Sequence, residues 1–455
     1  MDRLLKYLAG YQTAIKLTKG FSASKQMQST RYNAHLFLYT LNYWFQFISI
    51  EYYSCKTFYM IMRLFLSIVL VFLLQVNALG QNETGYQFET VKRLETTPVK
   101  DQQRTGTCWS YATTSFLETE LIRMGKPEII LSPMFFVRHT YSDKIERYIR
   151  FHGTNNFGQG GQAHNVMDVI ARHGMVPESV YSGLSYGEER HVHSELESIL
   201  KGMIDAVIKN RNRKLSTAWQ PAIEGVLDTY LGQTPVTFTF NGKEYTPATF
   251  AKEMGIDPDN YIELTSYSHH PYYEKIVLEI PDNWGHKGYY NLPIDELMEV
   301  MNHAIDKGHS VCWDGDVSEK GFVHSKGLAV MPLVKVEEMK DSEQAKWADV
   351  PSDKLMEEIY SFKSVVPEIE VTQELRQETF DNYITTDDHL MHIIGISKDQ
   401  NGTPYYITKN SWGTGNVYEG YLHMSEQFVR KKTVAIMVHK DALPKAIARK
   451  LGIKR

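Results

Sequence analysis

Two widely separated stretches of the chain carry the sharpest apolar periodicity. In the first, Ala112, Phe116, Leu117, Leu121 and Met124 recur at three- and four-residue steps and stop at Gly125, which predicts a helix that starts at Cys108. In the second, two β-rich runs, roughly His389–Ile396 and Tyr405–Lys409, flank Lys398–Pro404, and Asn401–Gly402 inside that link is a strong hairpin signal. Helical periodicity returns around Asn165–His173, at Ser194–Lys209 and at Ala218–Leu231, while Pro235–Phe240 reads as a strand. Glu337–Glu378 is a charged excursion, and the sequence holds no internal repeat or low-complexity tract.

One further apolar run has a different meaning. LFLSIVLVFLLQV follows Met62-Arg63, and Ala78-Leu79-Gly80 then places small residues at the −3 and −1 positions of a cleavage point before Gln81. The run falls short of the ~20 residues that span a bilayer. Read from Met62 it is a secretory signal, which makes residues 1–61 an artefact of start assignment and the mature protein secreted or periplasmic. The competing reading from Met1 is an uncleaved signal anchor, with membrane contact through residues 62–80.

The chemistry enters with Gln102–Tyr111, QQRTGTCWSY. A thiol at a helix N-terminus feels the positive end of the macrodipole, which lowers its pKa and favours the thiolate. Gln102, six residues earlier on a tight loop, is placed to aim an amide N–H at an oxyanion beside the sulfur. A buried Cys that merely begins a core helix is the bland alternative. In the hairpin, His389 and Asn410 fall at nearly equal distances from the turn, which predicts that they sit almost opposite each other with Cβ atoms ~5 Å apart. One ring nitrogen then faces the thiol while the amide oxygen holds the other, and Trp412 shields the pairing from water. His392, three residues on, points to the other face of the strand. Asp387 and Asp388 either cap the strand or favour a charged imidazole. His191-Val192-His193 and His269-His270 have no Cys or carboxylate at usual ligand spacing and read as solvated loop, so no metal is expected.

Gln102, Cys108-Trp109, His389 and Asn410-Ser411-Trp412-Gly413 resemble the active-site segments of papain-like cysteine peptidases. The closer resemblance is to the bleomycin hydrolase and aminopeptidase C branch. It is carried by Gly160-Gly161-Gln162 with Arg172-His173-Gly174-Met175-Val176-Pro177, and by Leu292-Pro293-Ile294-Asp295 with Val311-Cys312-Trp313 and Gly315-Asp316-Val317. The resemblance implies an α+β, two-lobed fold with a helical lobe, an antiparallel β-barrel-like lobe and a large, mainly helical insertion. It implies a peptidase acting through a Cys108–His389–Asn410 site, with Gln102 in the oxyanion hole and Gly160, Gly161 and Trp412 in substrate binding. It also implies aminopeptidase action without a cofactor, and a hexamer. The chain ends in a basic, helix-like segment, Ala442 to Arg455, where members of that branch continue into an arm that captures the substrate's free amine. An open cleft and endopeptidase action are therefore the alternative activity, and an inert peptide-binding scaffold is the non-enzyme alternative.

Composition narrows this little. A formal net charge of −5 lacks the basic footprint of a nucleic-acid binder, so peptides are the expected partners. Three Cys (Cys55, Cys108, Cys312) exclude a disulfide framework, and Cys312 reads as a buried strand residue. The organisation expected is an extension at 1–61, a signal peptide or anchor at 62–80, a helical lobe at 81–183, the insertion at 184–300, and a β-rich lobe with a short basic tail at 301–455.

Overall fold

The computed structural model describes residues 85–212, 214–335, 339 and 351–455, so the extension and the signal segment lie outside the described residues. After a first strand, β1 (Glu89–Arg93), the helix expected at Cys108 forms as α1 (Cys108–Arg123). Gly125 ends it at φ +71°, a conformation that glycine adopts without strain. α1 is buried on every side from Cys108 to Leu121, well beyond the apolar stripe that its periodicity marks. Its polar side chains are satisfied inside the protein. Thr113 Oγ1 donates to the Trp109 carbonyl at 2.7 Å, and Glu118 accepts from Lys100 Nζ at 3.1 Å and from the Leu131 amide at 2.8 Å.

α2 (Pro133–Arg150) and α3 (Ala163–His173) pack beside α1. The apolar periodicity marked no helix at α2, although its start signal is present: Ser132 caps the Phe135 amide and Pro133 occupies the first turn. The insertion supplies α4 (Ser194–Ile208), α5 (Trp219–Leu231), a hairpin of β2 (Phe238–Phe240) and β3 (Lys243–Tyr245), and α6 (Pro247–Met254). Beyond α6 the insertion turns to strands rather than the further helix expected. β4 (Tyr261–Thr265), β5 (Lys275–Val277) and β6 (Gly288–Asn291) return to the main sheet, and α7 (Ile294–Asp306) then leads into β7 (Val311–Gly315).

The remaining elements are β8 (Phe322–Val323), β9 (Leu328–Ala329), α8 (Ser352–Ser361), α9 (Gln373–Asp381), β10 (His389–Lys398) and β11 (Pro404–Lys409). They are followed by β12 (Tyr421–Ser425), α10 (Glu426–Lys432), β13 (Thr433–His439) and α11 (Lys445–Lys450). Among the described residues eleven strands form one sheet, in the order β5-β6-β4-β13-β7-β10-β11-β12-β9-β8, with β1 on the second half of β10. The β10–β11 hairpin turns where Asn401–Gly402 foretold, with Gly402 at φ +83°.

The sheet separates two cores. Cys312, Leu390 and Met437 point into the core built on α1 and α2, whereas Trp313, Met391 and Ile436 point into the core around α7 and α10. Strand alternation therefore aims Cys312 and Asp314 of β7 at α1, and the N-terminus of α1 meets the end of the sheet where His389 pairs with Gly315. This is the α+β, two-lobed fold class expected. No helix of the described residues is long and apolar enough to cross a membrane.

Candidate active site

Cys108 is the first residue of α1, and the hydrogen bond from the main chain of Leu390 to its sulfur ties it to the residue after His389. His389 Nε2 and Asn410 Oδ1 lie 2.8 Å apart. The Ser411 amide donates to the same Asn410 oxygen at 2.7 Å, which identifies that atom as the acceptor. Nε2 therefore donates to Asn410, leaving Nδ1 as the basic nitrogen of the neutral ring. Asn410 Nδ2 lies 3.3 Å from His324 Nδ1, so a histidine that sequence reasoning passed over fixes the amide from behind. The Trp412 ring covers His389 at 4.7 Å between centroids and remains 37% exposed, one face on the imidazole and the other toward solvent.

The pairing of His389 with Asn410 stands, but its register is corrected. Opposite Lys409 lies His392, and a bulge between Ile393 and Gly395 shifts the strands. Asn410 follows Lys409 and so reaches His389 diagonally, within the range of cross-strand neighbours. His392 points away, as expected, and is fully buried with Nδ1 at 2.9 Å from Ser115 Oγ.

The expected ready-made thiolate is also corrected. Burial pushes the Cys108 thiol up to about 12 and the His389 imidazole down to about 4. A helix N-terminus is worth at most ~2 kcal/mol, roughly one and a half pKa units, and cannot offset a rise of that size. Neither charge stands alone in this site. Burial penalises each charge, so the resting site holds the neutral thiol and the neutral imidazole.

The oxyanion loop is locked to the same strand end. Ser411 Oγ donates to Gln102 Oε1 at 2.6 Å, the Gln102 amide donates to the Ser411 carbonyl at 2.8 Å, and Gln102 Nε2 donates to the Thr105 carbonyl at 2.7 Å. One N–H of the Gln102 side chain is left to donate outward. Thr107, the N-cap of α1, makes no side-chain cap; its hydroxyl lies 2.6 Å from Thr105 Oγ1, and while the Ser110 amide donates to the Thr107 carbonyl at 3.0 Å, the Cys108 and Trp109 amides are left for an anion at the sulfur.

At the glycine pair the absence of side chains has a local cause. A Cβ at Gly160 would run into the Asp282 carboxylate, and one at Gly161 would stand 2.8 Å from Asn165 Oδ1 and 3.1 Å from the Trp109 ring. The missing side chains make room for the protein's own groups. Asp387 does not contact the imidazole either; its Oδ2 accepts from Gln162 Nε2 at 2.9 Å, and Asp388 Oδ1 accepts from the Val317 amide at 3.1 Å. Of the two histidine pairs expected in solvated loops, His269-His270 stands in one, and His191 with His193 does not. His191 and His193 are buried under the oxyanion loop, where the Arg104 amide donates to the His191 carbonyl at 3.1 Å. His269 and His270 do meet a carboxylate, Glu279, with Nε2 distances of 3.2 and 2.9 Å.

The chain matches the model of the Peptidase C1-like family over residues 134–349 and 352–454. It is 23% identical over 396 residues to Aminopeptidase W of Lactobacillus delbrueckii subsp. lactis, covering 78% of this chain and 83% of that one. It is 24% identical over 411 residues to Aminopeptidase C of Streptococcus thermophilus, covering 80% and 85%. With the mitochondrial Cysteine proteinase 1 of Saccharomyces cerevisiae it shares 21% over 421 residues, 81% of this chain and 80% of that one. Its fold superposes on the crystal structure of PepW from Lactobacillus rhamnosis with a TM-score of 0.61 at 18% identity, covering 89% of this chain and 96% of the other.

Proposed function

The chain belongs to the Peptidase C1-like family, and we propose that it is a cysteine aminopeptidase that cleaves peptides from their free N-termini through Cys108, His389 and Asn410. The observation that carries the chemistry is the His389–Asn410 hydrogen bond at 2.8 Å, which leaves the imidazole nitrogen facing away from Asn410 as a base for the buried thiol. The exopeptidase reading draws support from relatives that bear the name aminopeptidase and align along most of their length.

Cys108 Sγ attacks the substrate carbonyl as His389 takes its proton, so thiolate character develops only against the imidazolium. The Gln102 side-chain amide and the Cys108 backbone N–H receive the oxyanion, each such donor being worth roughly 3 kcal/mol. His389 then hands its proton to the leaving amine. In the second half, the imidazole takes a proton from water as that water attacks the thioester, and returns it to the sulfur. Cys108→Ala is expected to abolish peptide hydrolysis and labelling by a thiol-directed epoxide. Residual turnover above ~1% of wild type in that variant, measured on the same substrate, would remove Cys108 from the mechanism.

A further inference from the structure

Three carboxylates that the mechanism does not use converge beside the nucleophile. Asp314, on β7, is the cross-strand partner of Leu390, whose main chain meets the Cys108 sulfur. Asp387 lies two residues before His389 and turns away from the imidazole toward Gln162. Asp282 reaches in from the insertion, occupies the space that a Cβ of Gly160 would need, and accepts from Asn156 Nδ2 at 3.0 Å. Cys108 senses the charge of all three.

This cluster is incompletely answered by the protein. Asp314 is 3% exposed, and no donor reaches either of its carboxylate oxygens. It interacts with the Asp387 carboxyl, and two such groups satisfy each other only by sharing a proton. Burial first, and the Asp387 charge second, accordingly hold Asp314 well above the usual carboxylate range, while burial pushes Asp387 up to about 8. The cation at hand is Lys144, but its Nζ donates to the carbonyls of Gly158, at 2.8 Å, and Gly160. Among the described residues no lysine or arginine forms an ion pair with Asp282, Asp314 or Asp387. Asp282 and Asp387 are only half-buried, so the group opens outward while Asp314 closes its floor.

The direction of the opening matters. The leaving amine of a bound peptide faces His389 and Trp412. The acyl half therefore lies away from His389 and Trp412, beside a nucleophile that senses all three carboxylates. In a peptide whose first residue is being removed, the α-amine stands two bonds, ~2.5 Å, from the attacked carbon. That is short enough for it to lie one strand spacing, ~4.8 Å, from the main chain that meets the sulfur.

We propose that Asp282, Asp314 and Asp387 form the pocket that receives the protonated α-amine of the substrate's first residue. An ammonium brings three donors to a site with unanswered acceptors, and it displaces the shared proton as it enters. The pocket makes a chain with a free N-terminus the preferred substrate and disfavours a blocked one, which leaves the Asp314 and Asp387 carboxyls with no cation. This assignment rests on the peptidase reading above but is separable from it.

The test compares kcat/KM for alanyl-aminomethylcoumarin with that for its N-acetylated counterpart, in wild type, Asp314→Asn and Asp282→Asn, with thermal unfolding as the control for folding. Wild type is expected to favour the free amine by at least ~30-fold, about the worth of a single hydrogen bond to a charged group, and the ratio is expected to collapse toward one in either variant. Asp282 is the more exposed residue, so its variant decides the matter if Asp314→Asn does not fold. A ratio that stays at its wild-type value in a folded Asp282→Asn protein overturns the pocket and leaves the aminopeptidase intact. A wild-type ratio near one sinks the aminopeptidase reading itself. A preference for acetyl-lysyl-alanyl over acetyl-alanyl-alanyl substrates that disappears in the variants reassigns the pocket to a lysine side chain and overturns the α-amine.

Discussion

At the scale of single residues, two histidines three positions apart on β10 have opposite fates. His389 bonds Asn410 and serves the thiol; His392 bonds Ser115 inside the α1 core and is held well below the ordinary histidine range by burial. Replacing His389 by Ala is expected to cut hydrolysis by ~10²–10⁴, the usual worth of a positioned base. It should also slow alkylation of Cys108 at neutral pH, because burial then keeps the proton on sulfur. His392→Ala should retain turnover within about tenfold while losing about 1–3 kcal/mol of stability, since it leaves the Ser115 hydroxyl buried and unpaired. Rate and unfolding measurements on the two variants check both statements, and the reverse pattern would exchange their roles. Spacing marked the candidates, Cys108 at the start of a periodic run and His389 with Asn410 about a hairpin, and the family resemblance set them apart from packing residues. The protonation state was not legible, because it follows from burial that only the packed lobes impose.

At the scale of elements, the site is a junction between the N-terminus of α1, the oxyanion loop and the ends of β10 and β11. Ser411 couples them, with its hydroxyl on Gln102 and its amide on Asn410. Ser411→Ala is expected to lower kcat roughly tenfold with little change in KM, less than the ~10²–10³ lost when an oxyanion donor is removed outright. Ser411→Thr should restore most of the rate. An equal loss in the two variants, or a change confined to KM, would show that Ser411 does not position Gln102. The hairpin and α1 were readable because each declares itself through periodicity and turn residues. The bulge at Ile393–Gly395 was not, since one extra residue leaves the apolar pattern almost unchanged while moving the register. Asp282, Asp314 and Asp387 could not be associated from sequence, because the insertion, β7 and β10 meet only in the folded sheet.

At the scale of the whole molecule, buried titratable groups set how stability responds to pH. Burial pushes Asp387 up to about 8 and Asp388 and Glu368 up to about 7, and raises Asp282 and Asp314. Between pH 6.5 and 8 the unfolded chain has already released these protons while the folded protein still holds some, so stability must fall as pH rises through that interval. Below the ordinary histidine value the sign reverses. Burial lowers His139, His193 and His423 to about 3 and His389 to about 4, so protonation then favours the unfolded chain. The unfolding temperature is therefore expected to peak near pH 6.5 and to drop by a few degrees by pH 8, as followed by calorimetry across that range. A flat or rising profile there would mean that the buried carboxyls are ionised in the folded protein.

The central claim is that Cys108 removes residues from the free N-terminus of a peptide. It is tested most directly by following a defined ten-residue peptide and its N-acetylated twin over time by mass spectrometry, with wild type and Cys108→Ala. Wild type is expected to produce a ladder of products shortened one residue at a time from the free peptide, to leave the acetylated twin intact, and to lose both activities' distinction only with loss of Cys108, whose variant yields no products at all. Internal cuts in the acetylated peptide, or a ladder that persists in Cys108→Ala, would contradict it.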